Sequence, residues 1–235
     1  GVGYRNGGTL AGAEFGVVLK RDAMMPHATA ALLFTSPGCP HCPSAKAALN
    51  TLLQEGTIAS LEVVDASKDA ERAQAMGVKS VPWFRIGELQ FEGAMSLGEL
   101  RTWAVRAASD SALKDYFYDL LKSGRRGKVE DMIRTDPQRS VALADLMRDP
   151  EASMAIRLGI GAVLEEFQGS ASAAPMAPKL ADMLHNPEPR NRADAAHFLS
   201  LIGDAEAQKL LRGCLDHPDP EVREIAYDAL SNPTP

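Results

Sequence analysis

The chain has 235 residues, 45% hydrophobic and 24% charged, and exceeds what one small module needs; the reading is a soluble, globular protein of two domains. No long uncharged hydrophobic run occurs, so no membrane partner is expected. The net charge of −6 is unevenly distributed, with 10 basic and 10 acidic side chains in residues 1–108 against 15 and 21 in 109–235, which excludes the clustered positive surface that nucleic acid needs.

The short basic run Arg125-Arg126-Gly127-Lys128 reads as a solvated linker or helix end, and the acidic half could meet a basic protein. Three cysteines are too few for a disulfide-stapled secreted scaffold. No basic leader with an apolar core precedes the first domain, although a removed leader would leave no trace before Gly1-Val2-Gly3. The compartment stays open, with the cytoplasm slightly favoured.

Residues 1–28 form a lead-in, rich in glycine over 4–16 and followed by a short apolar stretch at 15–19. Residues 30–35 are a compact apolar run of buried-strand length, Ser36-Pro37-Gly38 is a turn, and 45–53 resumes apolar spacing at helical intervals. A second strand is predicted at 58–64 and a helix at 67–75. A hairpin follows, 83–86 with 89–91 around Gly87-Glu88, and then a closing helix at 96–107. The predicted order is βαβαββα.

Cys39-Pro40-His41-Cys42 stands where the first strand hands over to its helix. Unpaired backbone N–H groups and the partial positive charge of a helix start favour a thiolate, which makes Cys39 the expected nucleophile. Cys42, three residues on, can close a short disulfide and is the expected resolving thiol. His41 between them would stabilise the reduced form and so make the pair more oxidising. A zinc half-site is the competing reading, but beyond this pair the chain offers just Cys214 and five scattered histidines, so no metal is expected. Cys214, among Leu210, Leu211 and Leu215, reads as a small buried hydrophobe.

Over about residues 29–107 the chain resembles the thioredoxin superfamily. Three signals coincide: the CxxC between strand and helix, the segment Gly77-Val78-Lys79-Ser80-Val81-Pro82-Trp83-Phe84, and Gly93-Ala94 shortly before the last helix. The resemblance implies that Pro82 follows a cis peptide bond and faces the thiols. It also implies that Val81 lends backbone N–H and C=O groups to an extended substrate. Pro40, beside the nucleophile, joins Val81 as a substrate-binding candidate. A strand-edge trans proline is the alternative for Pro82. The Pro40-His41 dipeptide is that of the oxidising DsbA family, whereas the longer stretch from Phe34 to Pro43 is more similar to glutaredoxin-like protein disulfide oxidoreductases. Where thioredoxins usually carry a tryptophan before the first cysteine and a buried acid six residues upstream, this chain has Gly38 and Leu33.

Beyond a helical linker at 109–139 the sequence repeats itself. Leu143-Ala144-Asp145-Leu146-Met147-Arg148-Asp149-Pro150 aligns with Leu180-Ala181-Asp182-Met183-Leu184-His185-Asn186-Pro187, four of eight positions being identical. His185-Asn186-Pro187-Glu188-Pro189 is echoed 31 residues later by Asp216-His217-Pro218-Asp219-Pro220. Such a period fits helix pairs punctuated by proline. The units resemble HEAT repeats, two or three of them over about 140–232, within an all-α domain at 140–235. An extended surface of this kind is expected to bind or position a protein partner.

The fold class is thus an α/β thioredoxin-like domain at 29–108 followed by the HEAT-like repeats. The expected function is a thiol–disulfide oxidoreductase acting on protein disulfides or dithiols through Cys39 and Cys42. Electrons would pass to or from a separate thiol partner, with no bound cofactor. The alternative is a non-catalytic or redox-gated adaptor built on the same scaffold. Trp83, Phe84 and the helical methionines are read as core.

Overall fold

The computed structural model describes the backbone of residues 17–20 and all atoms of 28–149 and 152–232. Most of the lead-in lies outside these residues. Apart from residues 75–77, the chain splits between Ala108 and Ser109 into two compact units.

The first unit is a five-stranded mixed sheet with helices. Its elements are β1 (Val17–Lys20), β2 (Thr29–Thr35), α1 (Cys42–Gln54), β3 (Ile58–Asp65), α2 (Ala70–Ala75), β4 (Trp83–Ile86), β5 (Leu89–Glu92) and α3 (Leu97–Arg106). In space the strands run β1-β3-β2-β4-β5, with β2 parallel to β3 and the other three pairings antiparallel. The predicted order therefore stands, preceded by one further strand. A strand of four residues, Val17 to Lys20, is too short for periodicity to tell an added edge strand from a lead-in.

β2 occupies the middle of the sheet, which explains its unbroken apolar sequence: Ala31, Leu32, Leu33 and Phe34 are all buried. Aromatic rings fill the space beside it, with Phe34 edge-on to Trp83 at 5.7 Å and Phe84 stacked on Phe91 at 5.3 Å. α1 buries Ala45, Leu49, Leu52 and Leu53 on one face. α3 opens with a capping box, Ser96 accepting from the Glu99 N–H while the Glu99 carboxylate accepts from that of Ser96.

α2 starts three residues later than its sequence suggests. The Asp65 carboxylate accepts from both the N–H and the hydroxyl of Ser67, at 2.9 and 2.6 Å, closing a side-chain turn that keeps 66–69 out of the helix. Asp69 then takes the Arg72 N–H at 3.3 Å. Arg72 itself grips Glu62 on β3 with two hydrogen bonds of 2.7 and 2.8 Å, and these hold the Glu62 carboxyl below its ordinary range.

The second unit is all helical: α4 (Ala112–Lys122), α5 (Arg126–Thr135), α6 (Val141–Met147), α7 (Met154–Glu166), α8 (Ala177–Met183), α9 (Pro189–Ile202), α10 (Ala205–Gly213) and α11 (Pro220–Ser231). Residues 109–139, read from sequence as a helical linker, fold as α4 and α5. They supply a helix pair packed on α6 and α7, ahead of the three pairs within 140–232, where two or three units were expected. The first pair gave no repeat signal, because α4 and α5 lack the proline punctuation of the later ones.

Charged side chains join successive pairs. Lys114 meets Asp149 at 2.8 Å, Lys179 meets Asp145, Arg134 meets Glu166 at 2.6 Å and Arg157 meets Asp194 at 2.6 Å. His217 makes a different link. Its Nδ1 accepts the Asp219 N–H at 3.1 Å, which leaves Nε2 as the donor to the Leu184 carbonyl oxygen at 3.0 Å.

Candidate functional site

Cys39 and Cys42 are joined by a disulfide, their Cα atoms 5.5 Å apart. The helix begins later than expected, with His41 at its N-cap and Cys42 as its first residue, so Cys39 lies in the turn ahead of α1 instead of in its first turn. Backbone bonding accounts for this. The Cys39 N–H turns back to Ser36 O at 3.1 Å, and the first helical bond is the one from Ala45 N–H to His41 O at 3.2 Å. Pro43, in the first turn, has no N–H to give.

The two sulfurs differ in access. Cys39 is half-buried, whereas Cys42 is 5% exposed and packs among the buried residues of α1. Pro40 and His41 are exposed, and the His41 ring has no hydrogen-bond partner among the described residues. Ser44 donates its hydroxyl to the His41 carbonyl at 2.8 Å, holding the end of the loop. Ser44 did not stand out in the sequence, and Ser36 did so only as part of its turn with Pro37 and Gly38. Their role is in backbone turns, for which the Pro-Gly after Ser36 is the one local signal.

The Val81–Pro82 peptide is cis. Pro82 is buried and Val81 half-buried, with the Val81 carbonyl oxygen 3.5 Å from Cys39 Sγ. Gly93, at φ 81°, donates its N–H to the Pro82 carbonyl at 2.9 Å. Three segments distant in sequence thus converge: the loop after β2, the residues before β4 and the turn after β5. The position six residues before Cys39 is Leu33, fully buried in β2, so no carboxylate stands there. Space is open at Gly38, where an added Cβ would meet nothing within 4 Å.

Cys214 lies apart, in the helical unit, 3% exposed, and burial pushes its thiol up. Among the described residues no group of three or more His, Cys, Asp or Glu side chains is placed to hold a metal, and no helix is long and apolar enough to cross a membrane.

A mixed sheet with a dithiol pair at the end of its central strand, set against a cis-proline loop, defines a thioredoxin-type domain. Residues 32–104 match the thioredoxin domain family, and residues 140–231 match the HEAT repeats family. Thioredoxin from Methanocaldococcus jannaschii is 38% identical over 64 residues, covering 26% of this chain and 75% of that protein. A probable thioredoxin from Methanothermobacter thermautotrophicus is 39% identical over 70 residues, covering 29% and 82%. The chain belongs to the thioredoxin family through its first unit and carries HEAT repeats in its second. At the level of that family it is a thiol–disulfide oxidoreductase.

Proposed function

We propose that the chain exchanges disulfides with protein substrates through Cys39 and Cys42, while its helical repeats bind or position a partner. In the reducing direction the Cys39 thiolate attacks a substrate disulfide, forms a mixed disulfide and expels one substrate thiolate. The Cys42 thiolate then attacks Cys39 Sγ, releasing the second substrate thiolate and closing the internal disulfide. Two electrons pass from the dithiol to the substrate, and a separate thiol partner restores them. Run backwards, the same steps oxidise a dithiol.

The observation that carries this reading is the unequal access of two bonded sulfurs beside the Val81–Pro82 segment. A half-buried sulfur can be reached by a large substrate. A buried one reacts with the sulfur already beside it. Val81 and Pro82 would line the approach, with the Val81 backbone taking an extended substrate and Pro40 at its edge. His41 would tune the couple. Since Leu33 replaces the usual acid, the proton on Cys42 would leave through water.

Insulin reduction with dithiothreitol tests this. The wild-type chain should accelerate precipitation, Cys39→Ser should abolish the effect, and Cys42→Ser should accumulate a mixed disulfide through Cys39. If wild type and Cys39→Ser are equally inert toward insulin and other disulfides while a partner still binds residues 140–232, the adaptor reading replaces this one.

A further inference from the structure

Arg157, Arg192 and Arg223 are each the fourth residue of their helix, in α7, α9 and α11. The first two reach forward to the next helix pair. Arg157 donates to Asp194 of α9 at 2.6 Å, and Arg192 donates to Asp219, the N-cap of α11, from Nε at 2.9 Å and from Nη2 at 2.5 Å. Four residues beyond these arginines stand Gly161 and Ala196, and seven beyond stand Leu164 and Leu199. Such spacing places all three positions on one helix face. Ala196 and Leu199 are fully buried, Leu164 nearly so, and a Cβ on Gly161 would come within 3.7 Å of Phe198 in α9. Each of these helices therefore offers an arginine, a small residue and a leucine to its neighbour.

α11 repeats the pattern with one change: Arg223, Tyr227 and Leu230. Arg223 is already oriented, Nη1 donating to the carbonyl oxygens of His217 and Pro218 at 2.6 and 3.1 Å. Arg192 Nη1 is held in the same way by Asn186 and Pro187, both at 2.9 Å. The atoms with which Arg192 binds Asp219 have no carboxylate partner on Arg223 among the described residues. Tyr227 takes the place of Ala196 and is 66% exposed. Anything that packs on α11 would therefore meet a ring where α11 meets a methyl group on α9.

We propose that Arg223, Tyr227 and Leu230 form the docking surface for a partner protein, which sets a carboxylate on the open side of Arg223 and an apolar side chain against the Tyr227 ring. This rests on the reading of the repeats as partner-binding. The planar guanidinium fork, pre-positioned by two carbonyls, takes a carboxylate through two parallel hydrogen bonds. Arginine and tyrosine are also the residue types that dominate interface energies. Glu221 and Asp228 fall further round the helix at its 100° spacing, clear of the stripe, while Glu224 borders it three residues before Tyr227. Two copies of this chain meeting through the same stripe would bring no carboxylate to Arg223, since the stripe holds none.

The test uses the full chain with a photoreactive benzoylphenylalanine at position 227, irradiated in cell extract, and identifies the crosslinked peptide by mass spectrometry. The expected product is a peptide of another protein with Asp or Glu within a few residues of the crosslink. Binding of that purified protein should fall at least tenfold in Arg223→Glu and in Tyr227→Ala. Reversing the partner's acid to lysine should restore binding to Arg223→Glu. Tyr227→Ala removes an exposed ring and leaves the Arg223 clamp intact, so it reports even if Arg223→Glu fails to fold. A crosslink solely to another copy, to a peptide without a carboxylate, or to nothing overturns the proposal. Capture of a partner through a photoreactive residue at Leu158 on α7, with none at 227, would also overturn it while leaving partner binding itself standing.

Discussion

Cys39 Sγ lies 3.5 Å from the carbonyl oxygen of Val81, a residue 42 positions further along the chain. The contact sets the more accessible sulfur beside a backbone edge while Cys42 stays buried. After reduction, iodoacetamide should modify Cys39 at least tenfold faster than Cys42. Cys214, buried and with its thiol pushed up, should react after denaturation. Peptide mass spectrometry at timed intervals reads all three, and equal rates at Cys39 and Cys42 would remove the division of labour proposed for them.

The Pro40-His41 dipeptide should make the couple more oxidising than thioredoxin, with a midpoint above about −270 mV in glutathione or dithiothreitol buffers. Because the His41 ring is exposed, its influence is screened by solvent, and His41→Ser should lower the midpoint by tens of millivolts. A wild-type value at or below about −270 mV contradicts this.

Ser96→Ala removes the hydroxyl that accepts from Glu99 N–H and opens the capping box of α3. Urea unfolding should register a loss of about 1 kcal/mol, the usual cost of a lost N-cap.

Asp219 is held below its ordinary pKa first by its hydrogen bonds from Arg192 and then by the backbone N–H of Glu221. A carboxylate lowered in the folded state adds stability that is complete above its unfolded pKa, about 3.9, and fades as pH falls through the folded value. Asp219→Asn keeps a good N-cap but loses the charge. It should melt lower than wild type at pH 7, with the gap closing as pH falls below the unfolded value of about 3.9. A gap unchanged across that range would mean that the ion pair contributes nothing.

Ala196 and Tyr227 occupy equivalent places on α9 and α11, the second helices of successive pairs, and should respond oppositely to exchange. Ala196→Tyr forces a ring into a fully buried position and should cost about 1–3 kcal/mol. Tyr227→Ala should stay within about 0.5 kcal/mol of wild type in the same melts.

Much of the first unit was legible because its signals are local and strong. The run from Ala31 to Phe34 could belong to a central strand, Gly87-Glu88 marked the hairpin, and Cys39 with Cys42 announced their chemistry by spacing alone. The start of α2 was not legible, since Ser67 looks like a helix cap until Asp65 claims both its N–H and its hydroxyl. The place of Cys39 outside the helix depended likewise on a backbone bond to Ser36. In the second unit, the proline-marked repeats pointed to the later pairs, while α4 and α5 carry no such mark. The ion pairs between helix pairs were invisible because each joins residues about 30 apart, such as Arg192 and Asp219 at a separation of 27.

His217 bears on how the helical unit comes apart. Its ring spans the end of α8 and the start of α11, with one nitrogen committed to each. If α11 frays, the Leu184 carbonyl loses its buried donor; if α8 loosens, the ring that steadies the Asp219 amide goes with it. Neighbouring pairs are therefore stitched into one melting block, and hydrogen-exchange protection of amides in α8 and α11 should be lost together.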